Sequence, residues 1–248
     1  MRLLIINPNT TQLVTDTIGK AAHAAASPGT EITLATARFG ADVIASRAED
    51  ILAAHAALEV AARHAGQCDA VIIAASWDSG LLGIREALRV PVVGLTESAC
   101  TMATLLGDRF GLVTFGARSV PCYRNRVKSY GLIERLAGVG CVDIDRTRMY
   151  TDREATVAKI VACARELIEL HGAEVIIPSG AVTAGLHAEI QAELPVPVLD
   201  ATSCAVQLAE SLARLQPFKP TGGSFSLPLG RKVQGVDAAI TRLFEPGA

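Results

Sequence analysis

Short apolar runs alternate along the whole chain with stretches whose apolar residues recur every three or four positions. The first kind predicts strands at Arg2–Ile6, Glu31–Thr36, Ala70–Ala74 and Pro91–Gly94, and the second predicts helices at Thr11–Ala26, Ala48–Ala65 and Leu81–Leu88. The same order then recurs. Strands are predicted at Phe110–Thr114, Val139–Ile144, Glu174–Ile177 and Pro197–Leu199, with helices at Arg118–Tyr130, Asp152–His171, Gly185–Glu193 and Thr202–Leu215. Strand-helix alternation of this kind implies an α/β fold of parallel strands joined by right-handed crossovers. The Pro-, Gly- and Ser-rich segment Gln216–Pro228 reads as a loop, followed by a short helix near Val236–Phe244.

The recurrence extends to the residues themselves. Asp69-Ala-Val-Ile-Ile-Ala-Ala-Ser76, with Gly80-Leu81 and Val90-Pro91-Val92, is echoed by Ala173-Glu-Val-Ile-Ile-Pro-Ser-Gly180, Gly185-Leu186 and Val196-Pro197-Val198, at an offset growing from 104 to 106. Arg2–Asn7 matches Arg109–Thr114 at an offset of 107. The expected architecture is two pseudo-symmetric lobes, each a four-stranded parallel sheet flanked by helices, with the active site in the cleft between them. Lobe one would hold residues 1–95 plus 216–248 and lobe two residues 96–215, the boundary falling near 95–108. Ligands of open parallel sheets bind beyond the carboxyl ends of the strands. Those ends carry Asn7–Thr10, Ala75–Asp78, Thr114–Gly116 and Ser179-Gly180, and a twofold axis would set Ala75 opposite Ser179 and Asn7 opposite Thr114.

Composition narrows the ligand. Half of the 248 residues are apolar, 19% are charged and mean hydropathy is +0.35, which excludes extended disorder. Aromatics are only 4%, so Ala, Val, Ile and Leu supply the surplus, as expected for sheets covered on both faces. A net charge of −2 without a basic stripe argues against nucleic acid or an anionic membrane as partner and leaves a small molecule. No apolar run reaches a membrane-spanning length, and the apolar start Leu3–Ile6 breaks at Asn7-Pro8-Asn9, too early for a signal peptide, so the expected location is cytoplasmic. Six cysteines without a C-x-x-C pair signal neither zinc nor disulfides and read as reduced, mostly buried thiols. The high apolar content also points to a homo-oligomer, with the Ile51–Ala62 helix offering a face to a second subunit.

The motifs Ile5-Ile-Asn-Pro-Asn-Thr-Thr11, Asp69–Ala74 with Asp78-x-Gly80-Leu81, and Pro91-Val-Val-Gly94 with Glu97 and Ala99 resemble the aspartate, glutamate and hydantoin racemase superfamily. Gly111–Thr114, Gly172–Ile177 and Val196–Asp200 extend the likeness over roughly residues 1–215, and the nearest branch is that of hydantoin and allantoin racemases. The resemblance implies a cofactor-independent isomerase, using neither pyridoxal phosphate nor metal, in which two cysteines at paired strand ends flank the substrate carbon. One thiolate removes its proton and the other thiol donates one to the opposite face. A thiol suits both roles, because its pKa of about 8.5 is easily lowered by its surroundings.

This chain departs from that pattern. The family's first cysteine falls on Ala75 and its second on Ser179, and none of the six real cysteines stands at either strand end. Two-thiol racemisation is therefore closed to it as written. Either it is a racemase with both thiols removed, or a relative with altered chemistry. In the latter case, Ser179 would act as nucleophile or donor and Asp78 as base in a one-sided decarboxylase or amide hydrolase. A non-catalytic binder of carboxylates or ureides is the third alternative.

Each candidate has a plainer reading. Asn7 could only turn the chain before Pro8, and Thr10 and Thr11 could only cap the first helix, although a helix N-terminus also attracts carboxylates. Ser76 and Trp77 follow the third strand directly, and Trp77 reads equally as cleft wall or core. Asp78 is either a general base or the cap of the helix beginning near Gly80. Thr114 and Phe115 end the fifth strand; Ser179 is followed by Gly180, which leaves room around its hydroxyl. His187 reads as a surface residue, His55 and His64 as structural, and Arg118, Arg124, Arg126 and Lys128 as a solvated helix face from whose start Arg118 could reach an anion. No phosphate-binding glycine motif is present.

Overall fold

A computed structural model describes residues 1–144, 151–228 and 230–245. Residues 229 and 246–248, assigned above to lobe one, and 145–150, assigned to lobe two, lie outside the described residues. Strands β1 (Arg2–Asn7), β2 (Glu31–Thr36), β3 (Ala70–Ile73) and β4 (Val92–Gly94) form a parallel sheet in the order β2-β1-β3-β4. A second parallel sheet is ordered β6-β5-β7, from β5 (Phe110–Phe115), β6 (Leu136–Val142) and β7 (Val175–Pro178). The helices are α1 (Gln12–Ala25), α2 (Arg47–Arg63), α3 (Leu81–Ala87), α4 (Leu95–Ala103), α5 (Ser119–Ser129), α6 (Arg153–His171), α7 (His187–Ala192), α8 (Ala201–Leu215) and α9 (Ala238–Leu243). The two-sheet α/β fold agrees with the sequence pattern, and strand order repeats between the sheets.

Three details differ from expectation. The second sheet has three strands rather than four. Pro197–Leu199 contributes a single bridge from Val198 to Ile176, held by Ile176 N to Pro197 O and Leu199 N to Ile176 O at 2.9 Å each. Pro178 of β7 stands at the rung that Ile73 holds in β3 and has no N–H to donate, so pairing cannot extend. Strand β6 begins at Leu136, three residues before its predicted start, and its Gly138 and Gly140 lie where a Cβ would meet Leu167 and Cys163 of α6 at 2.9 and 2.3 Å. Those glycines weaken the strand signal but let the helix lie close. The boundary segment 95–108 contains helix α4, whose Leu95, Ala99, Cys100 and Ala103 are buried.

Helix α4 leaves the first sheet and packs on the second: Ala99, Cys100 and Ala103 share a core with Phe110, Leu112, Val175 and Ile177. Helix α8 does the reverse, placing Ala205, Val206 and Ala209 against Leu3, Ile5 and Ile72. The two helices also pack on each other. This reciprocal exchange joins the lobes through buried apolar area rather than through a linker.

The candidate active site

Beyond the carboxyl ends of β1, β3, β5 and β7 lies a cavity of about 330 Å³, lined by Ala74, Ala75, Ser76 and Trp77 from one lobe and Thr114, Phe115, Ser179 and Gly180 from the other. The sequence placed Ala75, Ser76, Trp77, Thr114, Phe115, Ser179 and Gly180 here, and the fold brings these seven together. The hydrogen-bond ladder refines the internal symmetry. Ala74 N donates to Ile6 O at 2.8 Å, and Ser179 N to Val113 O at 2.8 Å. The turns that follow match as well: Asp78 N to Ala75 O at 2.9 Å parallels Thr183 N to Gly180 O at 3.0 Å, and Gly80 and Gly185 both have φ of 78°. The counterpart of Ser179 in the ladder is thus Ala74, and that of Ala75 is Gly180, one residue from the pairing the raw repeat suggests.

Three predicted site residues do not line the cavity. Asn7 is buried at the foot of α1, where its side-chain amide donates to Asn9 Oδ1 at 2.9 Å and Thr15 Oγ1 at 3.0 Å. Its neighbour Asn9 takes the cavity position instead. Thr10 is tied by its amide to Ala41 O at 3.1 Å. Asp78 is fully buried behind the wall, and its carboxylate accepts from Thr96 N, Glu97 N and Tyr130 Oη at 3.2, 2.8 and 2.5 Å. It therefore caps α4, not the helix at Gly80. Its φ of 49° is unusual for a residue other than glycine, and these three donors hold it there. Burial, opposed by the Tyr130 and backbone donors, pushes its pKa up to about 7.

The sequence did not single out Tyr123. Its ring is 2% exposed, and its hydroxyl lies in the cavity within bonding reach of Ser76, Thr114 and Ser179, with burial pushing its pKa up to about 12. The i, i+4 spacing of Ser119, Tyr123 and Val127 on α5 is the signal that points it inward. Val43, Ile44 and Ala45 of the loop before α2 complete the apolar rim. No His, Asp, Glu, Lys, Arg or Cys lines the cavity among the described residues. Cys68, Cys100 and Cys204 are buried, while Cys122 and Cys163 are intermediate and Cys141 is exposed, which corrects the expectation of mostly buried thiols. Burial pushes Cys163 up to about 11 and Cys204 up to about 12.

Of the remaining candidates, His187 is exposed, and exposed His55 meets Phe39 edge-on at 5.1 Å. Arg118, Arg124 and Lys128 are exposed, whereas Arg126 is half-buried and reaches across to Asp50 of α2 at 3.2 Å. No described helix is long and apolar enough to cross a membrane.

The cavity lies at the junction of two repeated lobes and is lined by the strand ends of both. The sequence profile described as Asp/Glu/Hydantoin racemase matches residues 3–209. The chain belongs to the Asp/Glu/hydantoin racemase family. Within that family, it is similar to the hydantoin racemase of Pseudomonas sp. (strain NS671), 31% identical over 87% of each chain. It is also similar to the hydantoin racemase of Paenarthrobacter aurescens, 29% identical over 92% of this chain and 98% of that one. The solved allantoin racemase of Pseudomonas fluorescens superimposes with a TM-score of 0.91 at 38% identity, covering 95% of this chain and all of the other. These matches support the hydantoin and allantoin racemase branch of the family, and with it a racemase scaffold.

Proposed function

We propose that this racemase-family protein binds a small, uncharged, carbonyl-bearing ring compound of hydantoin or allantoin type in the inter-lobe cavity, without the thiol pair of two-base racemisation. The observation that carries this reading is the lining. Among the described residues its one titratable side chain is Tyr123, which stays protonated near neutral pH, so no described lining residue is a base able to take a carbon-bound proton. The hydroxyls of Ser76, Thr114, Tyr123 and Ser179 are donors for carbonyl oxygens, and the lack of any lining cation disfavours dicarboxylates such as aspartate or glutamate. The family resemblance puts the acid-base thiols at Ala75 and Ser179, whereas the hydrogen-bond ladder makes Gly180 the counterpart of Ala75, so the second thiol is tested at both 179 and 180. The deciding experiment follows solvent deuterium uptake and optical rotation with hydantoins and allantoin. The chain as it stands should bind without exchange, and a double variant with Ala75→Cys and a second thiol at 179 or 180 should exchange and racemise. Racemisation by the unaltered chain, or failure to exchange by both double variants, Ala75→Cys with Ser179→Cys and Ala75→Cys with Gly180→Cys, although they bind, overturns the reading.

The contact of Ser179 with Tyr123 favours a second reading, a one-sided lyase or amide hydrolase using Ser179. Asp78, the base that reading calls for, does not line the cavity. Turnover of malonates or cyclic amides that disappears in Ser179→Ala would establish it. We also read the chain as cytoplasmic and as a homo-oligomer, the latter supported by Ile51 and Leu52, which stand exposed on α2.

A further inference from the structure

Asp78 is buried in a ring made only of donors. Thr96 N reaches Oδ1, and Glu97 N and Tyr130 Oη both reach Oδ2. The amides belong to the first turn of α4, where the helix dipole favours negative charge. Tyr130 follows the end of α5, an element of the second sheet, so this hydroxyl bridges from one lobe to the other. The turn that carries Asp78 is the wall of the cleft: Asp78 N is bonded to Ala75 O at 2.9 Å, and Thr96 Oγ1 to Ser76 O at 2.6 Å. Trp77, the single tryptophan of the chain, lies between these two anchors, 6% exposed and facing the cavity.

We propose that the Asp78–Tyr130 hydrogen bond is a reversible latch between the lobes that positions the Ala75–Trp77 wall, with Asp78 acting as a positioning residue. The donor arrangement gives the reason. A carboxylate accepts all three bonds, but a neutral carboxyl has a proton of its own to place. The two amides cannot turn into acceptors, whereas the tyrosine hydroxyl can. Protonation of Asp78 lets the bond to Tyr130 reverse, with Asp78 donating and the half-buried tyrosine turning its own proton to solvent in the groove it lines, and the charge-assisted bonds to α4 become neutral and weaker. With a pKa near 7, both forms are populated around neutrality.

The groups facing Asp78 leave it as the switching element. From α4 come Glu97, whose carboxylate is turned away into a bidentate pair with Arg85 of α3, and Cys100, a thiol held neutral by burial. From α5 comes Tyr123, held neutral by burial; Tyr130 itself is likewise held neutral by burial and by the Asp78 charge, and Arg126, one turn before Tyr130, is paired with Asp50. The inference deepens the reading of the cleft as a binding site, but its test needs no ligand.

Trp77 reports directly. Its emission should follow a single titration between pH 5.5 and 8.5 with a midpoint near 7. In Tyr130→Phe, the midpoint should rise by at least half a unit, because a donor that favours the carboxylate has gone, and in Asp78→Asn the transition should vanish. A flat wild-type profile, or a Tyr130→Phe profile with an unmoved midpoint, overturns the latch. If Asp78→Asn does not fold, Tyr130→Phe still decides, since it removes one hydroxyl and keeps the ring. Failure here leaves ligand binding untouched, and failure to bind hydantoins leaves this titration untouched.

Discussion

Ala74 and Ser179 occupy the same rung of two equivalent ladders, their amides donating to Ile6 and Val113 at 2.8 Å each. Ala74 nevertheless belongs to the first core cluster with Val93 and Leu95, whereas Ala75 is the next residue along, turned to the other side of the strand end. A thiol at 74 and a thiol at 75 are thus different experiments. The ladder pairs Ala75 with Gly180 and the family resemblance pairs it with Ser179, so we expect Ala75→Cys with a second thiol at 179 or 180 to catalyse deuterium exchange into a hydantoin. Ala74→Cys with Ser179→Cys should remain at background, and proton NMR in deuterium oxide distinguishes the two.

Tyr123 lines the cavity beside Ser76, Thr114 and Ser179. Tyr123→Phe keeps the buried ring and removes the hydroxyl, so the fold should hold while ligand affinity falls. A hydrogen bond lost at a binding site costs about 1 kcal/mol, roughly a three- to tenfold rise in Kd. Isothermal titration calorimetry with allantoin or hydantoin measures it, and an unchanged Kd would remove Tyr123 from the binding machinery.

Asp78 makes stability depend on pH in the sense opposite to a salt-bridged carboxylate. Its folded pKa, about 7, lies above the ordinary value of 3.8, so the folded chain holds a proton that the unfolded chain has lost. The stabilising contribution of that proton is complete below about pH 4 and is lost as pH rises through 7, at up to about 1.4 kcal/mol per pH unit. Denaturant melts at several pH values should therefore show the wild type losing stability relative to Asp78→Asn between pH 4 and 7. Parallel curves would show that Asp78 does not hold that proton.

Gly94 packs directly on the same carboxylate: a Cβ there would come within 2.2 Å of Asp78 Cγ and 2.5 Å of both its oxygens. The carboxylate is pinned by three donors and cannot retreat, so Gly94→Ala should cost about 3 kcal/mol, at the high end for overpacking. Gly19→Ala is the matched control. Its Cβ would meet Leu34 Cδ1 at 2.4 Å, the far end of a side chain that can rotate, and the cost should be smaller. Thermal melts of the two variants give the comparison.

The exposed pair Ile51 and Leu52 underlies the expectation of an oligomer. Light scattering should give a mass at least twice the 25.9 kDa of one chain, reduced by Ile51→Glu with Leu52→Glu. A wild-type mass of one chain removes the oligomer and leaves the cavity as it is.

The sequence alone determined the α/β class, nearly every strand and the meeting of Ala75–Trp77 with Thr114, Phe115, Ser179 and Gly180. Hydrophobic period and strand-end position are local properties, and the repeat carries them from one lobe to the other. What only the tertiary structure decided are relations between distant segments. The exchange of α4 and α8 depends on which sheet each helix covers, and a run of Ala and Cys such as Ala99-Cys100 suits either. Tyr123 enters the cavity because α5 lies across β5, and Asp78 leaves it because the N–H groups of α4 arrive behind it. The one-residue shift from Ala75 to Ala74 as the counterpart of Ser179 belongs here too: the letters align best at one offset, but hydrogen bonds to β1 and β5 set the register.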